Sequence, residues 1–166
     1  REVFTNCAAA ITSFALFYLL LNGSGVGRAY DDELVAIDWG QAPRLLLHLS
    51  PDHPDFPDSR AEIHHFGAEF GLLPWGTTLA AMSEAQEADI RGYVAREILR
   101  DATAAPAGAM RHNIADSREG WGKTVELLES LAFAGAAGRT LLLDFSAIRP
   151  CGAPIAGMQG RPASGP

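Results

Sequence analysis

Cysteine is scarce: Cys7 and Cys151 are the only two in 166 residues. Two cysteines make no disulfide framework, so a small cross-linked secreted scaffold is excluded, and the composition is that of a protein kept in a reducing, cytoplasmic compartment. Any role for these thiols is expected to be chemical. Basic runs are absent as well. Thirteen Lys and Arg against twenty Asp and Glu leave a net charge of -7, with no cluster able to displace a phosphate counterion atmosphere, so nucleic acid is not an expected partner. A long apolar run is also missing. The mostly apolar stretch Ala8 to Leu21 is shorter than the roughly 18 to 20 residues of a bilayer span, and Glu2 offsetting Arg1, with no A-x-A cleavage site following before the glycines, spoils a signal peptide. No membrane partner is expected. No internal repeat is found.

What is present is a chain with 48% hydrophobic residues, enough for a buried core, about one domain long. It opens on Arg1 and closes on Ser164-Gly165-Pro166 without a charged tail, which predicts a piece of a longer protein. Phe14, Phe17, Leu20 and Leu21 recur at helical spacing, predicting a buried helix from Thr12 to Asn22 that stops at Gly23. Leu34 to Trp39 and Leu45 to Leu49 read as two strands or a hairpin. Ser50 to Ser59 holds three prolines among its aspartates and reads as a loop. Residues 60–82 are ambiguous. Ser83-x-x-Gln86 is a capping box, and Ile90, Val94 and Ile98 follow at i+4 spacing, predicting a helix over about 84–101. Ala102 to Gly108 reads as a linker and Met110 to Ala115 as a strand. Asp116-x-x-Glu119 is a second capping box, followed by the stripe Trp121, Val125, Leu128 and Ala132 up to Gly135. Arg139 to Phe145 is an apolar strand, and Ile148 to Pro166, with four prolines and four glycines, is a constrained tail.

Four groups of residues carry potential chemistry. Gly23-x-Gly25-x-Gly27 suggests a dinucleotide loop, but the phosphate fingerprint puts a strand before its glycines and a helix after them, and here the order is reversed. A glycine stop after a buried helix is the better reading. His48, His53, His64 and His65 lie among Asp52, Asp55, Asp58 and Glu62, but adjacent histidines point apart on a helix and no H-x-x-x-H pair exists, so no metal site is expected. Asp116 and Ser117 at a helix start offer free N–H groups for an anion and a carboxylate for a sugar hydroxyl; an ordinary N-cap is the competing reading. The tail turns repeatedly around Arg149, whose planar fork suits a phosphate, against the alternative of an exposed loop with an incidental Arg.

Taken together, Asn6-Cys7-Ala8, Leu21-Asn22-Gly23-Ser24-Gly25-Val26-Gly27, Asp116-Ser117-Arg118-Glu119-Gly120-Trp121 and the tail R-P-C-G-A-P-I-A-G with A-S-G-P resemble, in this order, the adenosylcobalamin-dependent (class II) ribonucleotide reductases. The resemblance covers about residues 3–49 and 110–166. It implies an α/β fold, a partial ribonucleotide-reductase-type ten-stranded α/β barrel with an inserted helical segment. Residues 1–49 would start the catalytic barrel, 50–109 would be an insertion of unclear role, and 110–166 would hold the effector-site helix, strand and loop. It further implies that Asn6, Cys7 and Gly25 contact a ribonucleotide substrate, and that Cys7 is one of two thiols delivering reducing equivalents from a thioredoxin-like reductant. Asp116, Ser117 and Arg149 would bind a deoxynucleotide effector. Lying in an insertion after the glycine turn, the D-S-R-E-G-W segment resembles the arrangement in which one chain mimics the neighbouring subunit's half of that site. Ala156 stands where relatives usually carry a Lys or Arg that contacts the effector phosphate. Neither cysteine fits the family's radical position and its acid/base partners are missing, so the isolated chain is expected to be inactive. The alternative is a non-catalytic, nucleotide-binding regulatory fragment.

Overall fold

The computed structural model describes residues 8–10, 13–21, 26–28, 37–156 and 160–166. Strand β1 (Ala8–Ala10), helix α1 (Ser13–Leu21) and strand β2 (Val26–Arg28) form a small βαβ unit in which β1 and β2 run parallel, Ala8 opposite Val26. A helix thus precedes the glycines and a strand begins at Val26, the reverse of the order in a phosphate loop. Helix α1 lies against α4 (Arg118–Phe133). Among the described residues no helix is long and apolar enough to cross a membrane.

The main sheet has four parallel strands in the order β4-β3-β6-β5: β3 Arg44–His48, β4 Ile98–Leu99, β5 Met110–Asn113 and β6 Thr140–Asp144. Leu141, Leu142 and Leu143 of β6 are buried in succession, so both faces of this central strand are covered, as parallel sheets require. One face packs on α4 through Ile114, Leu131, Leu141, Leu143 and Ile148. Helix α4 stops at Gly135, whose φ of +70° lets the chain reverse into β6.

Helices α2 (Arg60–Glu69) and α3 (Glu84–Glu97) connect β3 to β4 and enclose a second cluster of Ile63, Leu73, Met82, Ile90 and Val94. Each opens with a full capping box, Ser59 with Glu62 and Ser83 with Gln86. At Gly67 a Cβ would sit 2.5 Å from Ile90 Cδ1 and 3.1 Å from Leu73 Cγ, so a larger residue would have to push these side chains aside.

Several expectations need correction. The helix expected to run to residue 101 ends at Glu97, because Ile98 and Leu99 pair with Leu47 and His48 as the edge strand β4. Trp39 lies in a 3-10 turn (Trp39–Gln41) capped by Asp38, not in a strand, and β3 takes both its partners from distant segments and not from a hairpin; residues 34–36 lie outside the described residues. The ambiguous stretch 60–82 starts with α2, whose S-x-x-E signal stands in the sequence at Ser59 to Glu62. The helix after Asp116 is capped one residue later than expected: Ser117 Oγ accepts from Gly120 N at 2.9 Å.

Candidate functional site

All four strands of the main sheet are parallel, so the loops after β3, β5 and β6 gather at one edge, the place where open parallel sheets bind ligands. The loop after β5 carries Asp116 and the loop after β6 carries Arg149. Their side chains meet: Arg149 Nε donates to Asp116 Oδ2 at 2.7 Å, with both side chains about one-third exposed. The one-residue shift of the helix cap makes this pairing available. Because the Ser117 hydroxyl takes the capping role, the Asp116 carboxylate is released toward the neighbouring loop.

Two contacts hold the helix start where this requires. Gly120 is buried, and a Cβ there would stand 2.1 Å from the Ala115 carbonyl oxygen. The Trp121 ring packs on Phe145 at the end of β6, with centroids 5.9 Å apart. Deeper in, Thr124 Oγ1 donates to Gly120 O at 2.9 Å and accepts from His112 Nε2 at the same distance, tying α4 to β5. Arg149 also reaches Pro154 O through Nη1, at 3.4 Å. Among the described residues, Arg149 Nη2 and Asp116 Oδ1 carry no hydrogen bond. The pair can therefore present a donor to an anion and an acceptor to a hydroxyl while remaining joined.

A recess of about 490 Å³ is walled by Leu47, Leu49, Phe66, Ile98 and Phe145 and also lined by Asp55, Glu62, Glu69 and Cys151. Neither Asp116 nor Arg149 lines it. Its carboxylates disfavour a phosphate, and hydrogen bonds from the Ser59 backbone and hydroxyl hold the Glu62 carboxyl below its ordinary range.

The histidines are engaged elsewhere. His48 Nδ1, His53 Nε2 and His64 Nε2 lie 2.7, 2.8 and 2.7 Å from the carbonyls of Leu99, Ile148 and Thr77, and His65 lies 3.4 Å from Glu69. Among the described residues no cluster could hold a metal ion. Asn6, Cys7 and Gly25 lie outside the described residues; Ala8 and Val26, which follow Cys7 and Gly25, are paired in register. Cys151 is a free, exposed thiol. His53 and Asp55, which grip the Arg149 loop, stand in the sequence only as members of the histidine–carboxylate group; nothing there signals their tie to this loop, because their partners are 95 and 96 residues away.

No protein-family model matches the chain, and no curated protein matches it significantly. Among solved structures, a B12-dependent (class II) ribonucleotide reductase is similar, with a TM-score of 0.55 and 24% sequence identity over 92% of this chain. The match spans 17% of that enzyme's chain. At this identity the likeness is one of fold: a mixed α/β architecture with a four-stranded parallel sheet, similar to part of a ribonucleotide reductase.

Proposed function

We propose that this chain is the part of a ribonucleotide reductase that carries one reductive cysteine, Cys7, and a deoxynucleotide effector site built from Asp116, Ser117 and Arg149. The observation that carries the reading is the pairing of Asp116 with Arg149 at the sheet edge, 33 residues apart in the chain. Support comes from the order of the four sequence segments and from the fold likeness.

In this reading Asp116 accepts the sugar hydroxyl of the effector, Arg149 pairs with its phosphate, and Ser117 holds the helix start that aims both. Asn6, Cys7 and Gly25 face the ribonucleotide substrate. The overall reaction replaces the ribose 2′-OH with hydrogen, the oxygen leaving as water while two thiols become a disulfide. Cys7 is one of those thiols, and a thioredoxin-like reductant restores it by thiol–disulfide exchange. The described residues do not fit a corrin cofactor. The recess has the size of a site for a drug-sized molecule, smaller than a corrin, and one ring nitrogen each of His48, His53 and His64 is engaged by a backbone carbonyl. Adenosylcobalamin therefore enters through the family resemblance alone.

The test is deoxynucleotide binding to the full-length protein by calorimetry. Each charge-assisted contact is worth about 1.5 to 3 kcal/mol, so Arg149→Ala weakens affinity about tenfold or more. Unchanged affinity retires the effector assignment. The rival reading, a regulatory fragment without catalysis, is favoured if deoxynucleotides bind and the full-length protein makes no deoxynucleotide product.

A further inference from the structure

The loop after β3 reaches across the sheet edge and grips the backbone on both sides of Arg149. His53 is buried, and its Nε2 donates to Ile148 O at 2.8 Å, while its Nδ1 accepts from Asp55 N at 3.1 Å. One neutral tautomer satisfies both bonds, with the proton on Nε2. Asp55 in turn accepts from Cys151 N through Oδ2 at 2.7 Å. Residues 148 and 151 are thus pinned by side chains that lie 95 and 96 residues earlier in the chain. A third contact closes the clamp. Gly165, at φ +90°, passes so close to Asp55 that a Cβ would stand 2.6 Å from Oδ2. Between the pinned residues stand only Arg149 and Pro150, and the proline ring removes a further backbone freedom.

We propose that His53 and Asp55 are positioning residues for Arg149, and that the segment following β3 serves to pre-order the phosphate-binding loop. The proposal rests on the effector-site reading above and deepens it. A free Pro/Gly loop would have to be ordered at the moment of binding, whereas a loop clamped beforehand presents the guanidinium at little further entropic cost. The clamp also gives the inserted segment 50–109 a task that its sequence did not suggest. Its grip falls on two backbone atoms flanking one side chain, and that side chain already meets Asp116 from the other direction.

The experiment uses the full-length protein and titrates each of the four deoxynucleoside triphosphates. It compares two pairs of variants and follows amide hydrogen exchange over residues 146–153. In His53→Gln the amide nitrogen reaches the place of Nε2, whereas in His53→Asn the side chain is too short for Ile148 O. Asp55→Asn keeps an acceptor for Cys151 N, and Asp55→Ala removes it. The expected result is that His53→Asn and Asp55→Ala weaken deoxynucleotide binding about fivefold or more and speed exchange in the loop, while His53→Gln and Asp55→Asn stay within about threefold of the unsubstituted protein. Wild-type affinity in His53→Asn and Asp55→Ala overturns the clamp, as does an equal loss in all four variants, which marks a general fold defect. If the unsubstituted protein binds none of the four nucleotides, the effector-site reading itself falls and takes the clamp's proposed role with it.

Discussion

The segment Asp116 to Trp121 shows how much rests on single atoms. Gly120 is needed because its α-carbon runs against the Ala115 carbonyl, where a methyl group would sit at 2.1 Å. Backbone cannot yield as a flexible side chain would, so Gly120→Ala is expected to destabilise the protein by about 1 to 3 kcal/mol. Denaturant unfolding measures this, and a midpoint equal to that of the unsubstituted protein would remove the steric account. The motif was legible in the sequence, but its division of labour was not. Both Asp116 and Ser117 are good N-caps, and a capping box fits Asp116 with Glu119. Ser117 takes the cap while Asp116 meets Arg149, a partner supplied by the next loop of the sheet.

The helix pair α2–α3 is held by a small charge network. Arg60 donates to Glu87 and to Met82 O, and Arg91 donates to Glu87 at 2.9 Å and to Asp58 O at 2.8 Å. Hydrogen bonding from Arg91, followed by the charge of Arg60, holds the Glu87 carboxyl below its ordinary 4.5. A depressed carboxylate contributes stability that is complete above its unfolded value and is lost as pH falls through the folded one. The melting temperature is therefore expected to drop as pH falls below 4.5, and to drop less in Glu87→Gln, which starts lower at neutral pH. Thermal melts of the two proteins across that range check it, and parallel curves would clear Glu87 of the effect. The capping boxes of both helices stand in the sequence, yet the end of α3 does not. Ile98 continues the i+4 stripe of Ile90 and Val94, and it leaves the helix because the edge of β3 offers it a ladder.

For the molecule as a whole, the parallel order β4-β3-β6-β5 brings three loops to one edge and joins the β3 loop to the β6 loop. The two cysteines divide accordingly. Cys151 contributes its backbone N–H to that junction, a contact that serine preserves, so Cys151→Ser is expected to be nearly silent in the full-length protein. If Cys7 is the reductive thiol of the proposed function, Cys7→Ser is expected to abolish multiple turnover, because a hydroxyl cannot form a disulfide. Single-turnover and steady-state product assays separate the two variants, and the opposite pattern would place the reductive thiol at Cys151.

By itself the sequence determined α3 by its capping box and apolar spacing, α4 by its stripe, β6 by its apolar run, and, earlier in the chain, the loop around Pro51, Pro54 and Pro57. Caps, periodicity and proline act over a few residues, so they can be read in a row of letters. Only the tertiary structure decided that Leu45 pairs with Leu141, that Ile98 is a strand, that Ser117 and not Asp116 caps α4, and that His53 and Asp55 hold the loop of Arg149. Parallel neighbours are separated by a whole crossover, so no turn specifies the pairing, and their loops meet only after the sheet has formed.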